Sequence, residues 1–274
     1  MRFTYGVWDR LCLAIAQHRK TIRVDQILDQ EAGQGWLAIK HDVETDVPKA
    51  LALAKIEAKY GIVATYYVQA DLVDAHHRLL QEIQALGHEV SYHYDVLDAN
   101  GGDRSQAVAE FDANLAKFRH YGFAVKSVCP HGNPVMIRHG WHSNKDFFRD
   151  PSIAQRYPDI LDMVIALPTR LKESYRYISD AGYGFKQIVN IAENDRTQAQ
   201  RDIPITDYEA LLTHLMTPSP LILSTHPHRW ERSAVRFVLR VYLFKVLRFT
   251  ARLLSKIPLL KHLLSRYYYL AKKI

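Results

Sequence analysis

The strongest constraint on the fold is an alternation between short runs rich in β-branched and aromatic residues and longer stretches with helical period. A buried strand is predicted at 36–40, within GWLAIKHD. Further strands are predicted at 62–70 (IVATYYVQA), 88–95 (HEVSYHYD), 124–132 (AVKSVCPHG), 162–168 (DMVIALP), 174–180 (SYRYISD) and 220–228 (PLILSTHPH). A helix is predicted between the first two, over 47–61, with Gly61 as its stop signal. Strands that alternate with helices form βαβ units with parallel strands, so we expect an α/β fold.

Four of the predicted strands end in ionisable residues. These residues are His41 with Asp42, His93 with Asp95, His131, and His226 with His228. In a parallel barrel or sheet the carboxyl ends of the strands lie at one face, where such folds place their active sites. We therefore expect these side chains to converge on one pocket, although each alone could be an ordinary polar strand end or a core histidine.

Histidine and carboxylate side chains from separate strands are ligands for a divalent metal such as Zn²⁺. A catalytic site supplies about three protein ligands and leaves a position for water. The metal lowers the pKa of that water and polarises a carbonyl group, while other side chains act as base and acid. The residues therefore indicate metal-assisted hydrolysis of an amide or an ester.

Five motifs follow one another along the body of the chain. They are His41-Asp42-Val43-Glu44 at a strand end, the strand Val63–Val68, Gly87-His88-Glu89 shortly before His93, Cys129-Pro130-His131-Gly132, and Leu223-Ser224-Thr225-His226. In this order they resemble the motifs of the polysaccharide deacetylase (NodB-homology) family of carbohydrate esterases, over about Leu37 to Arg229. The resemblance implies a distorted (β/α) barrel that removes an acetyl group from a polysaccharide or a lipid-linked sugar.

The resemblance also implies a divalent metal, for which we expect Zn²⁺, bound by Asp42 and His93. The family's second metal-binding histidine would fall at position 97, where this chain has Leu97. A further ligand must then come from Asp95, His131 or Glu44. Because His-Asp-Val-Glu stands in place of the family's paired aspartates, Asp42 could be either a ligand or a base.

The remaining roles follow from the same resemblance. His41 or Glu44 would act as the base, and His226 would protonate the leaving amine. Contacts with the sugar, or the rim of its pocket, are expected from Asp180, His228 and Trp230. Two alternatives stay open: a barrel that binds glycan without catalysis, which Leu97 favours, and a metal hydrolase of the same fold that acts on a small cyclic amide.

The last 43 residues differ from the body in charge. Residues 232–274 contain eleven of the 36 basic residues and no acidic one, so residues 1–231, with 25 basic and 29 acidic residues, carry about −4. An acidic body counts against binding nucleic acid. We therefore predict two units, a barrel at 1–231 and a basic amphipathic helical tail at 232–274. The tail either contacts a membrane surface or caps the barrel.

Cysteine content and hydropathy bear on location. Cys12 and Cys129 are the only cysteines, which fits free thiols better than a disulfide scaffold. The first residues show no cleavable signal pattern, and no run of about 18 apolar residues occurs. We therefore expect a cytoplasmic protein, peripheral at the inner face of the membrane if the tail binds lipid.

Overall fold

The fold is built around one sheet whose strands are mostly parallel. The computed structural model describes residues 1–31, 33–133, 136–180, 182–196 and 202–254. The strands are β1 Thr21–Ile22, β2 Leu37–Val43, β3 Thr65–Val68, β4 Glu89–Tyr94, β5 Ser127–Pro130, β6 Leu161–Asp162, β7 Arg176–Ser179, β8 Lys186–Gln187, β9 Ile203–Pro204 and β10 Leu221–Thr225. The helices are α1 Tyr5–His18, α2 Val47–Lys59, α3 Val73–Ala85, α4 Val96–Ala99, α5 Arg104–His120, α6 Asp146–Arg149, α7 Pro151–Ala154, α8 Ala166–Arg170, α9 Tyr208–Met216 and α10 Ala234–Leu254.

The strand order is β6-β5-β4-β3-β2-β10-β7-β8-β9, with β1 beside the start of β2. All pairs from β6 to β7 along this path are parallel, and the pairs β7–β8 and β8–β9 are antiparallel. The central strand β2 is buried along its whole length, because both faces of the sheet are covered. The predicted α/β class is therefore confirmed.

The sheet curls into an open barrel. Lys40 on β2 and Cys129 on β5 lie three strands apart, which in a flat sheet would separate them by ~14 Å. Their Nζ and Sγ atoms are 3.2 Å apart. Apolar side chains from seven strands, among them Ala38, Tyr67 and Tyr177, pack with one another inside the curve. Within the described residues the strand pairing has two free ends, so the barrel is distorted, as the resemblance implied.

Helices cover the outer face of the sheet. Asp46 caps α2 by accepting a hydrogen bond from the Lys49 amide, and Gly61, at φ +68°, follows the end of the helix. The prediction of one strand at 162–168 is wrong. Only Leu161–Asp162 forms a strand, because the Asp162 carboxylate accepts hydrogen bonds from the amides of Val164 and Ile165 and turns the chain towards α8.

The C-terminal helix α10 begins directly after the body. Phe237 is buried against Phe3 and contacts Tyr183, so the first turns of α10 pack on the barrel. Residues 255–274 of the predicted tail lie outside the described residues, and the division at 231/232 stays a prediction. Among the helices that are described, none combines the length and the apolar character needed to cross a membrane.

Candidate active site

Three predicted site residues from three strand ends meet at one point. Glu44 follows β2, His93 lies in β4, and His131 follows β5. The Nδ1 atom of His131 is 3.2 Å from Oε1 of Glu44 and 3.3 Å from Nε2 of His93, and that Nε2 is 3.9 Å from Oε1 of Glu44. The two histidines are almost fully buried, whereas the Glu44 side chain is 16% exposed and opens the group to solvent.

This triangle fits a tetrahedral metal site. Zn²⁺ bonds of 2.0–2.2 Å at tetrahedral angles place neighbouring ligand atoms about 3.3–3.6 Å apart. The three observed separations bracket that range, and the donors are two nitrogens and one carboxylate oxygen, which Zn²⁺ and similar ions accept. Glu44, His93 and His131 could therefore hold a divalent ion and leave its fourth position open.

The surrounding contacts orient this donor set. His93 Nδ1 lies 3.0 Å from the Cys129 carbonyl and donates to it, which leaves the lone pair of Nε2 directed at Glu44 and His131. The His131 amide donates to the Tyr94 carbonyl at 2.7 Å and fixes the backbone after β5. Burial raises the pKa of Glu44, but His131 and His93 outweigh it and hold that pKa well below its ordinary value. Glu44 is therefore an anion ready to bind a cation.

Asp42 lies beside this group but is paired with a lysine that sequence reasoning missed. Lys40 is buried, and its Nζ donates to both carboxylate oxygens of Asp42 at 2.7 Å. Burial opposes ionisation of Asp42, yet Lys40 and His93 lower its pKa to about 2. The sequence contained a sign of this pair, because Lys40 is a charged residue in the otherwise apolar run before His41. It stands two positions before Asp42 and hence on the same face of the strand.

A second possible donor group, Asp42 with His93 and Cys129, fits a metal less well. Lys40 already lies against Asp42 and at 3.2 Å from the Cys129 sulfur, where its charge would repel a metal cation. Burial raises the pKa of the Cys129 thiol far above its ordinary value, although Lys40 opposes the shift. The predicted ligand Asp42 is therefore adjacent to the favoured metal group and lies outside it.

His226 is held by Asp180 on the other side of Asp42. The ring Nδ1 lies 2.6 Å from Asp180 Oδ1, and the His226 amide donates to Oδ2 at 3.0 Å. Because an ionised carboxylate only accepts, Nδ1 carries a proton and Nε2 faces Asp42 Oδ2 at 3.7 Å. Burial raises the pKa of Asp180, but His226 and Arg229 outweigh it and lower that pKa. This arrangement can pass a proton through Nε2.

Asp180 itself cannot contact a sugar as predicted. It is fully buried, and both of its oxygens accept hydrogen bonds from His226, with Arg229 Nη1 a further donor at 3.0 Å. Its function in the structure is to orient His226. His228 is half-buried with its ring 5.8 Å from that of His226, and burial together with Arg229 lowers its pKa to about 3. Its predicted place at the rim stays a prediction.

Three other predicted site residues lie elsewhere. His41 is fully buried on the opposite face of β2, where it binds Glu57 at 2.7 Å, so it cannot act as the base. Trp230 is fully buried and stacks on Phe3, so it forms no pocket rim. Asp95 follows the end of β4 and precedes α4, outside both of the possible metal groups found among the described residues.

No protein-family model matches the sequence, and no curated protein is similar to it in sequence. The fold is similar to a family 4 carbohydrate esterase from Streptomyces lividans (TM-score 0.42, 12% identity, 76% of this chain and 85% of that one). It is also similar to a CE4 esterase from Streptococcus mutans (TM-score 0.43, 15% identity, 81% and 85%) and to a variant of the peptidoglycan deacetylase PdaC from Bacillus subtilis (TM-score 0.34, 13% identity, 83% and 100%). These solved structures are of carbohydrate esterases or deacetylases. With TM-scores below 0.5 we draw no functional conclusion from them.

Proposed function

We propose that this chain is a metal-dependent hydrolase that removes an acetyl group from an N- or O-acylated sugar of a glycan. The observation that carries the proposal is the triangle of Glu44, His93 and His131, with ligand atoms 3.2 to 3.9 Å apart beside an oriented histidine. Zn²⁺ is the ion that its two nitrogens and one oxygen suit best. The glycan class rests on the resemblance in sequence.

Each side chain has a distinct role in this proposal. A bound ion would supply the Lewis acidity that polarises the acyl carbonyl and acidifies a water. Asp42, fixed by Lys40 and ionised, accepts a hydrogen bond from that water and orients it. Nε2 of His226 would take the proton that the water loses as it adds to the acyl carbonyl and would deliver it to the nitrogen or oxygen that leaves as the acyl bond breaks, while Asp180 keeps the ring in place through Nδ1. Glu44 is a ligand in this scheme, so the earlier expectation that it acts as base is not retained.

Metal content and acetate release test the proposal together. The purified wild-type protein should bind one equivalent of Zn²⁺ and release acetate from N- or O-acetylated sugar oligomers. His131→Ala should lose both properties, whereas Asp42→Asn should keep the metal and lose the activity. His139→Ala, which removes an exposed histidine from the loop after His131, serves as the matched control and should change neither. A wild-type protein that binds no divalent ion would refute the proposal.

One observation favours a barrel that binds glycan without catalysis. Lys40 neutralises Asp42, the residue that the resemblance assigns to the metal. If this second function holds, acetylated oligomers will bind with no metal present and will be recovered intact. A small cyclic amide is tested as a substrate in the same assay. If the protein hydrolyses this ring and leaves the acetylated sugar intact, the substrate is a cyclic amide and not an acetylated glycan.

A further inference from the structure

A stripe of large apolar side chains lies exposed along α10. The stripe consists of Val235, Val238, Leu239, Tyr242, Leu243 and Val246, which are between 39% and 70% exposed. Spacings of three and four residues put them on one side of the helix, over a length of about 17 Å. Within the described residues, six of the ten exposed large hydrophobic side chains belong to this stripe, so the exposure is concentrated in one place.

The opposite side of α10 attaches the helix to the body. Phe237 is 7% exposed and packs on Phe3. Arg240 lies 3.1 Å from Glu231 and donates to the carbonyl of His228. Because this side already packs on the barrel, the stripe faces away from it. The predicted cap on the barrel therefore accounts for one side of the helix and leaves the stripe unexplained.

The charges beside the stripe indicate what covers it. Arg236 and Lys245 are exposed at its two borders, and the sequence has no acidic residue from Arg232 to its end. An apolar stripe bordered by cations is the pattern of a helix that lies in the plane of a membrane surface. We propose that α10 docks on an anionic membrane, with the stripe among the acyl chains and Arg236 and Lys245 against lipid phosphates.

A second copy of this chain fits the stripe less well. In a symmetric pair the stripe of one copy would pack on the stripe of the other, and the cations at its two borders, Arg236 and Lys245, would face a second helix that is equally basic. Like charges at these positions repel, and α10 carries no acidic residue to offset them. A membrane containing anionic lipid supplies the opposite charge along the whole helix.

The position of α10 also connects the membrane with the candidate site. The His228 carbonyl accepts hydrogen bonds from Arg240 on α10 and from Lys49 on α2, the latter at 3.2 Å. His228 is two residues after His226, so a docked α10 holds the loop of the proposed acid near the lipid surface. If the proposed function is correct, this placement favours a substrate in which the glycan is attached to a lipid of that membrane surface.

Vesicle binding by the full chain tests the docking surface. The wild-type protein should sediment with vesicles of phosphatidylglycerol and phosphatidylcholine, and much less with phosphatidylcholine alone. Leu239→Glu with Leu243→Glu should lower partitioning by about tenfold or more, because two charges would enter the acyl region. Leu13→Glu is the control, since Leu13 on α1 is 43% exposed and Leu243 on α10 is 46% exposed, and it should bind like the wild type.

Two results would overturn the inference. One is vesicle binding by the double variant at the wild-type level with its thermal unfolding unchanged. The other is a wild-type dimer in sedimentation velocity that the double variant dissociates, which would assign the stripe to a second copy. Acetate release from soluble oligomers by the wild-type protein is measured separately. If the wild-type protein binds vesicles but releases no acetate, the proposed reaction is refuted and the proposed docking surface is unaffected.

Discussion

Two buried groups of histidines and carboxylates lie on opposite faces of β2, and consecutive residues of that strand contribute to them. The inner group contains Glu44, His93 and His131 beside Asp42, and the outer group contains His41, Glu57 and His88. Both groups are rich in the residues that bind metals. They differ in how their polar atoms are arranged.

In the outer group the protein satisfies the polar atoms. Glu57 accepts hydrogen bonds from Trp8, His41 and Tyr66, and His41 uses its other nitrogen for Thr225 at 2.6 Å. In the inner group two histidine nitrogens and one carboxylate oxygen point at each other across 3.2 to 3.9 Å. The comparison indicates that burial of histidine with carboxylate does not by itself mark a metal site, and that convergence of three possible ligand atoms is the informative feature.

The largest expected effect concerns the inner group. His93→Ala removes the one ligand that both possible metal groups share, so bound Zn²⁺ and acetate release should both fall to background. The free energy of unfolding without metal should change little by comparison. Metal analysis and an acetate assay on the same preparation check this. Retention of stoichiometric metal by His93→Ala would contradict the assignment of the metal to the inner group.

The next effect concerns the outer group. Glu57→Ala leaves His41 without its buried partner and should lower the free energy of unfolding by about 3–5 kcal/mol. The metal content of the folded protein should stay at the wild-type level, since no Glu57 atom contributes to the inner group. Urea unfolding followed by metal analysis measures both quantities. Loss of metal from folded Glu57→Ala would make the outer group part of the site.

A smaller effect is expected from the carboxylate behind the proposed acid. Asp180→Asn preserves the size of the side chain but weakens its hold on Nδ1 of His226, so kcat should fall on the order of 10²-fold. Binding of Zn²⁺ should be unchanged. A matched measurement on Asp195→Asn, in a partly buried ion pair with Arg149, should show a normal rate. An undiminished kcat in Asp180→Asn would remove the proposed role of His226.

The smallest effect is a dependence of stability on pH. Burial opposes ionisation of Glu57, but His41 outweighs it and lowers the pKa of Glu57 below its ordinary value of 4.5. The resulting stability is fully present above pH 4.5 and is lost as the pH falls through the lowered value. Thermal unfolding of the wild-type protein should therefore shift more steeply below pH 4.5 than that of Glu57→Gln. Equal shifts in the two proteins would show that Glu57 is not ionised in the fold.

The sequence predicted which strand ends meet but not which face each side chain takes. Asp42 and His41 are neighbours, and the alternation of a strand sends one inside the barrel and the other outwards. That alternation was available from the sequence and would have excluded His41. His93 and Asp95 are two residues apart, so they would lie on the same face if β4 continued to Asp95. The strand ends at Tyr94 and the chain then turns into α4, so this expectation fails for Asp95.

Other features of the site depend on the curvature of the sheet. The contact of Lys40 with Cys129 joins strands that are three apart, and no local pattern encodes that distance. Asp180 and His226 form a pair at the ends of β7 and β10. These two strands are neighbours in the sheet although they are far apart in the sequence, so the pair could be predicted only from the strand order. His131 was among the predicted ligands because its motif ends a strand, and the structure places its Nδ1 atom 3.3 Å from Nε2 of His93.

Anomalous diffraction at the zinc edge, from crystals of the protein grown with Zn²⁺, tests the central claim most directly. We expect one strong peak about 2.0–2.2 Å from a Glu44 oxygen, His93 Nε2 and His131 Nδ1, with Lys40 still against Asp42. A peak bound by Asp42 and Cys129 with Lys40 displaced, or no peak among these residues, would contradict the account.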